Sequence, residues 1–264
     1  MKVHHLNCGT MRPRATPDGL VCHVLLVEGP DGLILVDTGL GTRDAADPAG
    51  RFGAARFYVR PTFDTAEAAV TRVERLGLDP RDVHDVVLTH FDADHTGGLA
   101  DFPWARVHLT AAENLASLYP KGPVERGRYL PSHREHEPII VEHTPAQGEA
   151  WRGFPGAKEL TDIAPGIVLI NLPGHSRGHA AIAVDAGDRW ILHVGDSFYH
   201  HGQIDGTGKA PLALTAMERF IAHDWKLVQG NHRRLAELWQ AADPDLLVVN
   251  AHDPSLLRRA QQRR

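Results

Sequence analysis

Residues 90–95 read HFDADH and follow directly on VVLT, the end of an apolar run. Two imidazoles and two carboxylates thus crowd into six positions where a strand stops. Such a packing of nitrogen and oxygen ligands is costly to bury unless a cation neutralises it. Metal chemistry is therefore the first reading.

Periodicity places the cluster in a mixed α/β chain. Residues 20–27 and 33–36 pair as a hairpin through EGPDG, and the second arm ends in DTG. Residues 65–76 carry Ala66, Ala69, Val70, Val73 and Leu76 on one helical face. A strand over 82–89 feeds the cluster, a short one covers 107–109, and a helix follows at 111–118. Residues 167–172 form a strand that stops at PGH, and 180–184 with 190–194 form a second hairpin through AGDR. Helices are expected over 212–222 and 232–241, then a last strand over 246–249 that ends at NAHD. Residues 41–64 and 119–156, rich in Gly, Pro, Arg and His, read as long surface loops or lids.

Four strand ends therefore carry acids or imidazoles: residues 90–95, His175 in LPGHSRGH, Asp196 in HVGDSFYHH and His252 in VNAHD. A lone histidine after a strand is ordinarily a surface or satisfied structural residue. Four at successive strand ends, where sites collect in open α/β sheets, are not explained that way. The sequence THFDADHTGG with the later GH, GD and AHD elements, and the earlier LVDTG, resembles the metallo-β-lactamase fold superfamily from the first hairpin to His252. The resemblance implies one domain over 1–264: a four-layer αβ/βα sandwich of two mixed β-sheets with helices on the outer faces.

It also implies a ligand set. His90, Asp92 and His175 would hold one metal, Asp94, His95 and His252 a second, and Asp196 would bridge them. Asp37 would hydrogen-bond a ligand or its loop. His179 would support the site or start a helix, whereas His193, His200, His201, His223 and His232 are left over as surface or rim histidines. The family motif HxHxDH is here HxDxDH, with Asp92 replacing an imidazole. Asp92, Asp94, Asp196 and a bridging hydroxide would set four negative charges against two divalent cations, which weakens acidification of bound water. The added oxygen ligand favours iron or manganese relative to zinc. Zinc stays first because it accepts mixed N/O ligands without a geometric demand.

The function implied is a metal-dependent hydrolase in which a metal-bridging hydroxide attacks an ester-type bond, with Asp94 orienting it and a lactone as the favoured substrate. Tyr199, three residues after Asp196, matches a tyrosine of the lactonase branch that polarises the lactone carbonyl; a plain strand-exit tyrosine is the alternative. Arg177 could meet a carboxylate or phosphate, or be a solvated loop arginine. Thioester and phosphodiester hydrolysis, and a di-iron redox protein, are the competing chemistries. A non-catalytic metal-stabilised binder is disfavoured, because all seven proposed ligand positions hold ligating residue types.

Bulk numbers remove other classes. With 28 basic and 33 acidic residues the formal charge is −5, so nucleic acid is not an expected partner. Eighteen histidines call for metal sites or a wet polar rim. Cys8 and Cys22 fall in strands and read as buried thiols. Residues 1–14 have no apolar segment of a targeting signal, and no run reaches the ~18 apolar residues of a membrane span. A cytoplasmic protein acting on a small molecule is the expectation, with residues 52–63 and 129–140 covering a substrate tail or a homodimer interface. The basic RRAQQRR at 258–264 reads as a solvated helix end.

Overall fold

Strands buried on both faces read as near-continuous apolar runs, and LVCHVLLV at 20–27 is such a run. In the computed structural model, which describes residues 1–14, 16 and 18–262, it lies inside a six-stranded sheet. That sheet runs β1 (Lys2–Met11), β2 (Leu20–Gly29), β3 (Gly32–Val36), β4 (Val83–Val87), β5 (Arg106–Thr110) and β6 (Ile139–His143), in sequence order. The second sheet holds β7 (Glu149–Trp151), β8 (Phe154–Glu159), β9 (Ile167–Asn171), β10 (Ala180–Asp185), β11 (Trp190–His193) and β12 (Leu246–Val249), ordered β12-β11-β10-β9-β8-β7. Both are mixed: β3 to β6 pair parallel beside an antiparallel β1–β2–β3, and only β11 and β12 pair parallel in the other.

The period of two along each strand sorts side chains between two faces. Leu25 and Val27 of β2 and Ile34 and Val36 of β3 meet Ile167, Leu169 and Ile182 between the sheets. The alternate residues Val24, Leu26 and Leu35 face Ala69, Val73 and Ala116 of the helices Ala69–Arg75 and Ala111–Leu118. Across the molecule Val168, Ile170 and Leu192 meet Leu235 and Leu256 of the helices Trp225–Ala241 and Pro254–Gln261. The result is the expected four-layer sandwich. Leu25 and Leu169 are fully buried, and truncating either to Ala should cost about 2–5 kcal/mol.

The two stretches read as loops are more ordered than their composition implies. Within 41–64, short helices form at Thr42–Ala46, Pro48–Phe52 and Arg56–Val59. Asp47 caps the second by accepting from Gly50 N, and Pro48 opens it where its missing N–H costs nothing. Within 119–156 lie the helix Gly122–Arg128 and strands β6, β7 and much of β8, whose Pro155 and Gly156 disguise it in the sequence. The helix expected over 232–241 begins earlier, at Trp225, because Asp224 caps it from Lys226 N and Leu227 N; Gly230 and Asn231 weaken the signal of its first turns. Residues 65–76 divide into a tight turn, Thr65–Glu67, and the helix Ala69–Arg75.

Cys8 and Cys22 are buried and unpaired with each other. Arg258 and Arg259 close the helix Pro254–Gln261, and the last two residues of the basic tail lie outside the described ones. Among the described residues no helix is long and apolar enough to cross a membrane.

Candidate metal centre

Five strand ends deliver the cluster to one edge of the sandwich: Asp37 follows β3, residues 90–95 follow β4, His175 follows β9, Asp196 follows β11 and His252 follows β12. Asp92 opens the helical turn Ala93–Thr96, yet its side chain makes no capping bond. The backbone carbonyl of Asp92 alone accepts from His95 N, Thr96 N and Thr96 Oγ1, so the carboxylate is free to face inward. Gly195 takes a left-handed φ of 50° where a Cβ would lie 2.6 Å from His179 Nε2. That turn carries Asp196 into the centre.

The potential ligand atoms of His90, Asp92 and His175 lie within 4.8 Å of one another, as do those of Asp94, His95 and His252. Asp196 sits between the two groups. Its Oδ1 is 3.2 Å from His95 Nε2 and 3.0 Å from His252 Nε2, and its Oδ2 is 3.6 Å from His175 Nε2 and 4.0 Å from His90 Nε2. Asp92 Oδ2 lies 3.1 Å from His175 Nε2 and 3.4 Å from His90 Nε2, the position an imidazole would hold in the usual motif.

The outer atoms of these groups are held from behind. With Nδ1 as the donor, His95 bonds Asp37 Oδ2 at 2.8 Å and His252 bonds the Val21 carbonyl at 2.8 Å, which turns each Nε2 lone pair inward. Asp37, itself at a left-handed φ of 59°, also accepts from Thr89 N at 2.7 Å and Thr89 Oγ1 at 2.8 Å. His179 bonds the Leu172 carbonyl through Nδ1 and accepts from Asp196 N through Nε2, so it holds the backbone of Asp196 and starts no helix.

The charges are arranged as mutual counter-ions. Burial would raise the Asp196 carboxyl, but His252, His95 and His175 outweigh it and hold the group well below the carboxylate range. Asp92 is likewise buried and likewise held well below that range, first by Arg128 and then by His90. Burial would lower His95, but Asp196, Asp37 and Asp94 raise it well above an ordinary imidazole. His175 goes the other way, down to about 4, through burial and the Arg128 charge. Despite these pairs, the buried His90 Nε2, His95 Nε2 and Asp196 Oδ1 have no hydrogen-bond partner. Unsatisfied buried polar atoms are costly, and three converging ones of mixed N and O type fit a bound divalent cation.

Two residues that the sequence reading missed tie the site together. Glu113, fully buried, accepts through Oε1 from Phe91 N and the Tyr129 hydroxyl, both at 3.0 Å. Its Oε2 accepts from Ser176 Oγ at 2.7 Å and Gly178 N at 2.9 Å. One carboxylate thereby joins the loop of His90 to the loop of His175. Arg128 ends the helix Gly122–Arg128 with its side chain only 6% exposed. Its Nη1 lies 2.7 Å from His175 Nε2 and 3.1 Å from Asp92 Oδ1, and its Nη2 donates to the Ile221 carbonyl at 2.7 Å. The carboxylate at position 92 was a sign that a cation was needed nearby, but nothing in the pattern singled out this arginine.

Other expectations are corrected. Arg177 meets a carboxylate of the chain itself and is no solvated loop arginine: it clamps Glu125 through Nε at 2.8 Å and Nη2 at 3.0 Å. His193 is no rim residue but fully buried, bonding the His23 carbonyl at 2.8 Å. His232 is half-buried against Glu218 Oε1 at 2.9 Å, whereas His200, His201 and His223 are partly exposed. Residues 129–140 do not form a free lid. Tyr129 is buried on Glu113, and His133 is fastened to the Arg51 carbonyl and Thr96 Oγ1.

His200, His201 and Asp253 form another group of potential ligands. There Asp253 is already committed, receiving His201 N and Nδ1 on one oxygen and Ser255 N, Ser255 Oγ and Leu256 N on the other. Above the main cluster a cleft of about 380 Å³ opens, floored by Asp92, Asp94, Asp196, Tyr199 and His252. Its walls are largely apolar and include Leu20, Phe52, Val59, Val124, Leu130 and Met217.

A sequence model of the family described as the Metallo-beta-lactamase superfamily matches residues 17–252. A probable metallo-hydrolase of Mycobacterium tuberculosis is 51% identical over 261 residues, covering 99% of this chain and 83% of that protein. An N-acyl homoserine lactonase of Agrobacterium fabrum is 28% identical over 239 residues, covering 86% of this chain and 78% of that one. Among solved structures, an N-acyl homoserine lactone hydrolase with the product N-hexanoyl-L-homoserine at its catalytic metal center has the same fold. It superposes with a TM-score of 0.70 at 22% identity, covering 98% of this chain and 95% of the other.

Proposed function

Because the chain belongs to the metallo-beta-lactamase superfamily and is a metallo-hydrolase by its relatives, we propose that it is a dinuclear hydrolase of lactones bearing an apolar acyl tail. The observation that carries this reading is the pairing of two His/Asp triads around Asp196 with an apolar cleft directly above them. His90, Asp92 and His175 would hold one divalent ion, and Asp94, His95 and His252 the other. Asp196 reaches both. Zinc suits this mixed N/O set first, with iron and manganese as the alternatives the extra carboxylate favours. Such a pair of ions, when bound, would supply a water-derived nucleophile at neutral pH and polarise the oxygen under attack.

The chain's own residues do the rest. Asp94, on the floor of the cleft, orients the attacking water and accepts its proton. Tyr199 lies beside it, and its phenol, pushed well above its ordinary value by burial and by Asp196, stays protonated; its single hydroxyl proton, on Asp196 Oδ2 before substrate arrives, would turn to the substrate carbonyl when substrate binds. The apolar walls take the tail and exclude water from the reacting bond. Tyr58 and Phe220 line the same cleft while 53% and 77% exposed, apolar surface that a binding site explains. The relative named as an N-acyl homoserine lactonase supports the lactone, and the one named as a probable metallo-hydrolase supports metal-dependent hydrolysis.

A substrate panel of acyl lactones of graded tail length, thioesters, β-lactams and phosphodiesters tests the reading, with the protein reconstituted in zinc, manganese and iron. Lactones should turn over fastest, with kcat/KM rising with tail length. Asp196→Ala should lose metal and turnover together. Preference for a thioester or phosphodiester at full metal occupancy would overturn the lactone assignment, and redox-active iron bands with no hydrolysis would overturn the hydrolase.

A further inference from the structure

Arg128 stands where no ordinary ligand set needs a cation. Its Nη1 is 2.7 Å from His175 Nε2 and 3.0 Å from Asp92 Oδ2. The imidazole lone pair that would bind a metal in the His90–Asp92–His175 half is therefore spent on a guanidinium N–H. A nitrogen at that distance and a metal at about 2.0–2.1 Å from the same Nε2 cannot coexist along one lone pair. Among the described residues no equivalent cation touches the other half: His95 Nε2 and His252 Nε2 lie on Asp196, and His252 Nε2 lies 3.5 Å from Asp94 Oδ2.

We propose that Arg128 is an internal stand-in for one of the two ions, a cationic gate that holds the His90–Asp92–His175 half and must swing aside for that half to load. The inference rests on the two-metal reading above. The gate compensates for the position that departs from the family motif: Asp92 adds a negative charge where an imidazole would be neutral, and Arg128 is matched to that charge. It also connects loading to the cleft. Arg128 Nη2 donates to the Ile221 carbonyl at the end of the helix Leu212–Ile221, and both Arg128 and Ile221 line the cleft. Withdrawal of the guanidinium releases that bond, so filling of this half loosens the helices Gly122–Arg128 and Leu212–Ile221 from each other. Loading of this half should therefore open the protein at that point.

Zinc titrations of the whole protein against a chromophoric chelator test this. Wild type should show a tight step and a weaker one, and His175→Ala should remove the weaker step alone. Arg128→Gln should strengthen the weaker step by about tenfold or more, the size expected for freeing a charge-assisted hydrogen bond, and leave the tight step within about twofold. In the same variant the metal-free protein should melt lower than wild type, while the dimetal protein melts alike. Equal strengthening of both steps would reduce Arg128 to a general field effect and overturn the gate, as would no change. A fall in both metal affinity and melting temperature in every metal state would make Arg128 merely structural. Absence of zinc binding by wild type would instead overturn the two-metal reading itself. Should Arg128→Gln not fold, hydrogen exchange of wild type at one and two equivalents of zinc decides. Residues 122–128 and 212–221 should lose protection only at the second equivalent, and unchanged protection would sink the proposal.

Discussion

The Tyr199 hydroxyl donates to Asp196 Oδ2 across 2.8 Å, so the phenol that faces the cleft is positioned by the carboxylate at the centre of the cluster. Tyr199, Asp196 and His252 form one unit, because the Tyr199 ring also stacks on His252 at 5.2 Å between centroids. Tyr199→Phe keeps the stack and removes the donor. Its kcat on a lactone should fall roughly tenfold to a hundredfold, near or below the loss for one oxyanion donor, with zinc content unchanged. Loss of zinc in that variant would show the hydroxyl to be a strut of the metal centre.

Asp37 is the second test. It orients His95 and is itself fixed by Thr89. Asp37→Ala should weaken zinc retention by about 10–100-fold, as for other groups that hold a ligand from behind, measured by dialysis against a chelator. Asp37→Asn, whose amide NH2 would face the His95 Nδ1–H while its oxygen stays on Thr89 N, should not restore retention.

Glu113 joins two loops through four donors. In Glu113→Ala each buried donor left without a partner costs about 1–3 kcal/mol, so urea unfolding should show a loss of several kcal/mol. A change within about 0.5 kcal/mol, the range of an ordinary surface substitution, would remove Glu113 from its place as the link between the loops.

Acid stability should carry a mark of the sheet edge. Lys158 of β8 lies 3.3 Å from His143 Nδ1, His143 Nε2 lies 3.0 Å from His108 Nδ1, and His108 Nε2 bonds Asp85 Oδ1 at 2.8 Å. Burial, then His108 and Lys158, push His143 from 6.5 down to about 4. The folded state thus binds this proton less readily than the unfolded chain. The stability from a neutral His143 is present above about pH 6.5 and is lost as pH falls toward 4. Urea melts across that window should fall less steeply for His143→Gln than for wild type; equal slopes would mean that His143 is already charged in the fold.

The sandwich and the gathering of the seven proposed ligands were legible because they rest on short, repeated signals. Apolar runs mark strands buried on both faces, and ligating residue types stand immediately after them. Arg128 and Glu113 were not legible for the opposite reason. Each sits on a helix with no local mark of its role, and each acts across more than twenty residues of chain, Arg128 on His175 and Glu113 on Phe91. The ordered helices of 41–64 were hidden because their stability lies in the buried Arg51, which bonds Asp44 at 2.6 Å and the Gly97 and Ser132 carbonyls. His193 was misread since burial beside His23 depends on β2 meeting β11 across the sheets.

His252 takes its orientation from the Val21 carbonyl, 231 residues earlier in the chain. A growing polypeptide that has passed Asp196 but not yet released β12 from the ribosome has an acidic centre with its last imidazole missing. Strand growth in the amino-terminal sheet can begin well before that moment, since domains start to order during synthesis. Completion of the centre cannot. The Asp94–His95–His252 half of the centre is thereby completed only at the end of assembly, and the same long reach makes its geometry a report that both sheets have docked.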